Sequence, residues 1–174
     1  MNQEGFLNPS QILKIVSLKE DMIACDFGCG SGGWVIPAAK MLKSGMVYAI
    51  DVQESAISAL NGKISAEKIF NIKTMQGDVE EGVKLRDEYV DIVFMTNLLF
   101  QVKNRRFVLE EGKRILKPGG RILIVDWNKD APLGPRANGV SKEELKFLAN
   151  ELGLEVERDF DAGNFHWSLV LIKK

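Results

Sequence analysis

Short apolar runs alternate along this chain with stretches whose apolar residues recur every three to four positions. Residues 22–27, 46–51, 69–75, 90–95 and 121–126 read as strands, the fourth apolar almost throughout, as a strand buried on both faces should be. Between them lie helical patterns. Asn8-Pro9 reads as an N-cap followed by proline at the first helical position, with Ile12, Leu13 and Val16 on one face. A helix over 34–43 tolerates Pro37 only in its first turn, which sets its start against Gly32 or Gly33. A helix over 53–63 turns Ala56, Ile57 and Leu60 inward, and one over 103–116 buries Val108, Leu109, Gly112, Ile115 and Leu116 before Pro118-Gly119-Gly120 stops it. Ser141 and Glu144 form a capping box for a helix to about residue 152. Two last strands, 154–160 and 165–172, are linked so tightly by Asp161-Ala162-Gly163 that they must pair antiparallel. The alternation predicts an α/β fold with a mostly parallel sheet. Residues 127–140 form a Pro/Gly-rich loop longer than a connector requires.

Bulk composition narrows the function classes. A chain of 174 residues suits a single domain spanning 1–174. With 23 basic against 24 acidic residues and a net charge of −1, nothing draws it generally to nucleic acid or anionic lipid. The basic cluster Lys103, Arg105, Arg106, Lys113 and Arg114 is interleaved with Glu110 and Glu111, which reads as a solvated helix face. Cys25 and Cys29, with a single histidine, are too few for a zinc cluster and wrongly spaced for a redox pair, so no metal is expected. The amino terminus lacks a basic-then-apolar leader and no apolar run approaches the length of a membrane span. A cytoplasmic protein without membrane insertion is the expectation.

The candidate chemistry sits in ACDFGCGSGGW, residues 24–34. Gly28, Gly30 and Gly33 satisfy the dinucleotide-binding G-x-G-x-x-G pattern, while Gly28, Gly30 and Gly32 satisfy a second one. A bare turn between the first strand and its helix lets a ligand touch backbone, and both NAD and S-adenosylmethionine use that edge. Asp26 separates them: a carboxylate there repels a pyrophosphate but suits the cationic amino group of a methionine moiety, directly or through water. Its competing role is to cap loop N–H groups. Asp51, ending the second strand, can accept ribose hydroxyls for either cofactor, or cap the helix that follows. After the third strand, Gly77-Asp78-Val79 offers an acid for an adenine amino group and an apolar neighbour for its ring. The terminal hairpin, which a dinucleotide fold does not require, tips the balance further toward S-adenosylmethionine.

These stretches resemble the class I S-adenosylmethionine-dependent methyltransferases over nearly the whole chain. CDFGCGSG is similar to that family's first motif, YAIDVQ to its ribose-binding strand end, and QGDVEEG to its adenine loop. YVDIVFMTNLLFQV and EGKRILKPGGRILIVDW follow in family order. ILIVDWNKDAPLGP resembles the ubiquinone/menaquinone-biosynthesis branch. The resemblance implies a Rossmann-like seven-stranded, mostly parallel sheet of order 3-2-1-4-5-7-6, its last strand antiparallel, with helices on both faces. It also implies a cofactor set of Asp26, Gly28, Cys29, Gly30, Asp51, Val52, Gly77, Asp78, Val79, Asn97 and Leu98, with Gly32 shaping the wall. Packing is the competing account for Asn97 and Leu98, and Trp34 reads as core.

The implied partner is a small-molecule methyl acceptor. Methyl transfer from a sulfonium is an in-line displacement with an activated leaving group, so positioning can suffice without an acid or base, and no catalytic residue is assigned. Thr-Asn-Leu-Leu after the fourth strand departs from the Asn/Asp-Pro-Pro-Tyr of amino-group methylators. Gln101 stands where many small-molecule relatives carry histidine. The acceptor site is expected over the ends of strands four and five, with Phe6, Phe100, Gln101, Trp127, Arg136 and His166 as candidates. An NAD-linked oxidoreductase, a protein or RNA methylator on the same core, and a non-catalytic cofactor-binding module are the rivals. The acceptor and the oligomeric state are left open.

Overall fold

The computed structural model describes residues 7–129, 131, 132, 134 and 139–174. A seven-stranded sheet has the order β3-β2-β1-β4-β5-β7-β6. Its strands are β1 (Ile23–Phe27), β2 (Met46–Asp51), β3 (Ile72–Gln76), β4 (Val90–Thr96), β5 (Leu116–Trp127), β6 (Leu154–Asp161) and β7 (His166–Lys173). The first five run parallel, and β7 pairs antiparallel with both β5 and β6. Order and strand directions are those the resemblance implies.

Among the described residues five helices cover the sheet: α1 (Pro9–Ile15), α2 (Val35–Met41), α3 (Glu54–Glu67), α4 (Arg105–Ile115) and α5 (Lys142–Glu151). Strand alternation divides the core in two. On one face Cys25, Phe27, Val93, Met95, Ile122 and Ile124 pack against Val108, Leu109 and Ile115 of α4 and Leu145 and Ala149 of α5. On the other, Ala24, Ile92, Phe94, Leu123 and Val125 meet Ile12 and Leu13 of α1, Val35 and Ala38 of α2 and Leu60 of α3. Trp34 belongs to that second cluster, as core. Pro37 lies in the first turn of α2, whose Ile36 N–H donates to the Gly32 carbonyl at 3.1 Å, so the helix does start against the glycines.

Several boundaries differ from the sequence reading. The helix expected to end at Lys63 continues to Glu67 and stops at Lys68, whose φ of 52° is left-handed. The third strand begins at Ile72, three residues late. Leu116, expected on a helix, opens β5 by pairing with Val90, and a register shift lets Pro118-Gly119-Gly120 bulge out before Arg121 pairs with Ile92. Glu111 is not on a solvated face. It is buried, holding Arg114 at 2.6 Å and accepting the Val83 N–H at 2.6 Å.

Candidate active site

β1 runs into the glycine loop at the carboxyl edge of the sheet. The N–H groups of Gly28 and Cys29 both donate to the Ile50 carbonyl at 2.9 Å, lacing the loop to β2. Asp51 extends the lacing. Its Oδ2 accepts the Gly30 N–H at 2.8 Å and its Oδ1 accepts the Gln53 N–H at 2.9 Å. One carboxylate therefore joins the glycine loop to the start of α3, and the helix-cap role considered for it is present.

Gly28 has φ +70°, and a Cβ there would lie 2.9 Å from Leu98 Cδ1. The loop after β4 thus rests directly on the glycine loop. Gly32 has φ +91°, and its Cβ would meet Leu60 Cδ1 at 2.5 Å, whereas a Cβ on Gly33 meets nothing within 4 Å. The pattern with structural content is therefore Gly28, Gly30, Gly32.

A crevice of about 430 Å³ opens over these loops. Gly28 and Gly30 form its floor, with Asp51, Val52, Gln53 and Ala56 on the β2 side. Gly77, Asp78, Val79 and Glu80 follow β3, and Thr96, Asn97, Leu98, Gln101 and Val102 follow β4. It is an acidic cleft: Asp51, Asp78 and Glu80 line it, and no basic side chain does so among the described residues. Asp78 Oδ1 accepts the Glu80 N–H at 2.8 Å, and Glu80 Oε1 accepts the N–H groups of Lys103 and Asn104 at 2.9 and 2.7 Å. Val52 is 59% exposed beside Asp51, presenting an apolar side chain to the crevice.

Two expected cofactor residues do not line the crevice. Cys29 is buried, its thiol pushed up by burial and then by Asp26 and Asp51. Asp26 is fully buried, and neither carboxylate oxygen has a hydrogen-bond partner, so it does not cap the loop. Burial, and after it the Asp51 charge, hold its carboxyl well above the usual carboxylate range. Asn97 takes a left-handed φ of 51° and also leaves its buried Oδ1 unpartnered.

The acceptor-side candidates separate. Gln101 lines the cofactor crevice, where its Nε2 donates to the Asn97 carbonyl at 2.7 Å. Phe100 is half-buried against the α4–α5 core. Trp127 and His166, paired across β5 and β7, stack with ring centroids 4.1 Å apart. His166 is buried with Nε2 unpartnered, and burial lowers its pKa. Phe6 and Arg136 lie outside the described residues. The sequence reading missed Gln53, Ala56, Glu80, Thr96 and Val102 of the lining, and Asp126, a buried carboxylate near the end of apolar β5. The signal for Asp126 was an acid closing an unbroken apolar run.

Residues 18–166 match a protein-family model described as a methyltransferase domain. The chain belongs to this family. A methyltransferase described as S-adenosylmethionine-dependent from Aquifex aeolicus superposes with a TM-score of 0.90 at 29% identity, covering 97% of this chain and 90% of that one. The demethylmenaquinone methyltransferase of Bacillus subtilis is 29% identical over 125 residues, 71% of this chain and 53% of that protein. That of Staphylococcus aureus is 31% identical over 117 residues, 67% of this chain and 47% of that protein. The chain spans about half the length of the curated relatives it matches.

The methyltransferase crevice fits the family's cofactor, S-adenosylmethionine, on observations of its own. The unsatisfied, fully buried Asp26 is suited to a cationic amino group, and the exposed Val52 of the crevice lining to an apolar ring.

Proposed function

We propose that this domain transfers the methyl group of S-adenosylmethionine to a small-molecule acceptor. The observation that carries the reading is the acidic, cation-seeking crevice over a bare glycine loop at the sheet's carboxyl edge. Asp51 would accept the ribose hydroxyls, Asp78 the adenine amino group, and Val52, Val79 and Leu98 would pack on the ring. Gly28 and Gly30 would approach the methionine moiety, with Asp26 beneath neutralising its amino group. When bound, the cofactor supplies a methyl already activated by positive sulfur. The chain's own task is to hold the acceptor in line and exclude water, which can contribute several kcal/mol, by order of magnitude.

The likeness to enzymes named for demethylmenaquinone supports an acceptor from the small-molecule branch. Trp127 and the stacked His166 lie at the same sheet edge, beyond β4 and β5, where a planar acceptor would approach. No helix among the described residues is long and apolar enough to cross a membrane.

Asp51→Ala is expected to weaken S-adenosylmethionine binding by roughly 2–3 kcal/mol, the scale of lost charge-assisted hydrogen bonds. Isothermal titration checks this, and unchanged affinity in a folded variant removes Asp51 from the site. Labelled-methyl incorporation across hydroquinones, phenols, amines and thiols identifies the acceptor.

A further inference from the structure

Among the described residues, Asp126 is the one buried carboxylate at the sheet's carboxyl edge for which the proposed chemistry finds no use. It is 1% exposed and next to last in β5, and the positive charge of Arg105 on α4 acts on it in favour of the carboxylate. Its partners are backbone amides. Oδ1 accepts the Trp127 N–H at 2.8 Å and Oδ2 accepts the Leu99 N–H at 3.2 Å, and the nearby Phe100 N–H also favours the charged form. With one N–H on each oxygen, a neutral amide or protonated acid in this place would turn a donor of its own toward one of them.

Those amides belong to the loop that closes the crevice. Its first residue, Asn97, is tied to β5 by its N–H to the Val125 carbonyl at 2.8 Å. Leu98 rests on Gly28, and Gln101 N–H returns to the Leu98 carbonyl at 2.8 Å. Between these ties, Leu99 gives its N–H to Asp126, and the Phe100 N–H acts on the same carboxylate. The turn begins at Asn97 in the left-handed region, a conformation asparagine tolerates.

We propose that Asp126 is a positioning residue: its carboxylate clamps the Asn97–Gln101 loop against the glycine loop and so sets the crevice's affinity for S-adenosylmethionine. The proposal rests on the crevice being the cofactor site, which Asp51→Ala tests separately. A residue kept only for stability would be poorly chosen here, because burial raises this carboxyl to about 6, and a charge held against that tendency costs folding free energy at neutral pH.

The test uses the full chain and two measurements. In Asp126→Asn, isothermal titration at pH 7.5 is expected to show an S-adenosylmethionine Kd raised about tenfold, with amide exchange accelerated at Leu99 and Phe100 but not across β4 and β5. In the unmodified protein, which needs no variant to fold, the Leu99, Phe100 and Trp127 amide shifts are expected to titrate together near pH 6, with affinity declining over the same range. Unchanged Kd in the folded variant, or wild-type affinity that stays level while those amides titrate, overturns the proposal. If Asp51→Ala loses affinity and Asp126→Asn does not, only the clamp fails. If neither does, the crevice itself is misassigned.

Discussion

At Asp26 burial is complete and neither carboxylate oxygen has a partner, so the empty protein keeps this acid protonated well above its ordinary range. The sign of the consequence follows. Where the folded state holds a proton that the unfolded chain has lost, stability falls as pH rises through the folded pKa. Asp26→Asn is therefore expected to raise the melting temperature of the empty protein at pH 8, with the gain shrinking toward pH 5. A cationic amino group reverses the preference and favours the carboxylate, so cofactor binding should be accompanied by proton release. Titrations in buffers of different ionisation enthalpy measure this directly. Buffer-independent binding enthalpy in the unmodified protein would remove Asp26 from contact with the bound cation. Sequence placed this carboxylate correctly just ahead of the glycines, but not its isolation. That isolation depends on which N–H groups the folded loop turns away from it.

The glycine loop shows the same division at the level of an element. Two glycine patterns overlap in the sequence, and which one matters depends on Leu60, a side chain of α3 that packs into the space a Cβ on Gly32 would fill. No local spacing encodes that contact. Gly32→Ala must adopt a left-handed φ and displace a fully buried leucine, at a cost of about 2–3 kcal/mol. Gly33→Ala meets open space and is expected to change stability by less than about 1 kcal/mol. Chemical denaturation of the two variants compares them, and equal losses would mean the loop is not built on the first, third and fifth positions. Element boundaries were legible where a cap residue marks them, as at Asn8 and Ser141, whose side chains accept the Gln11 and Glu144 N–H groups. They were misread where tertiary contacts decide. Lys68 ends α3 without glycine or proline, and β5 recruits Leu116 through a bulge that the Pro-Gly-Gly signal concealed.

Across the whole molecule, the strand order places β1 between β2 and β4, so the chain leaves β1 in one direction and returns to its other side at β4. Loops from both halves then splay apart over one crevice, which is why residues after β1, β2, β3 and β4 all reach it. This architecture also serves dinucleotides, so the fold does not choose the ligand. The charge does. Asp51, Asp78 and Glu80 line the cleft with no lysine or arginine among its described residues. A diphosphate would be repelled there, and a sulfonium amino acid attracted. At a hundredfold excess over Kd a ligand stabilises its protein by about 2.7 kcal/mol, which for a domain of this size corresponds to a rise of roughly 5–10 °C in melting temperature. Thermal unfolding with S-adenosylmethionine should show that rise, and with NAD at the same concentration almost none. Should NAD give the larger shift, a cation outside the described lining must neutralise its phosphates, and the charge argument for a methyl donor would fall with it.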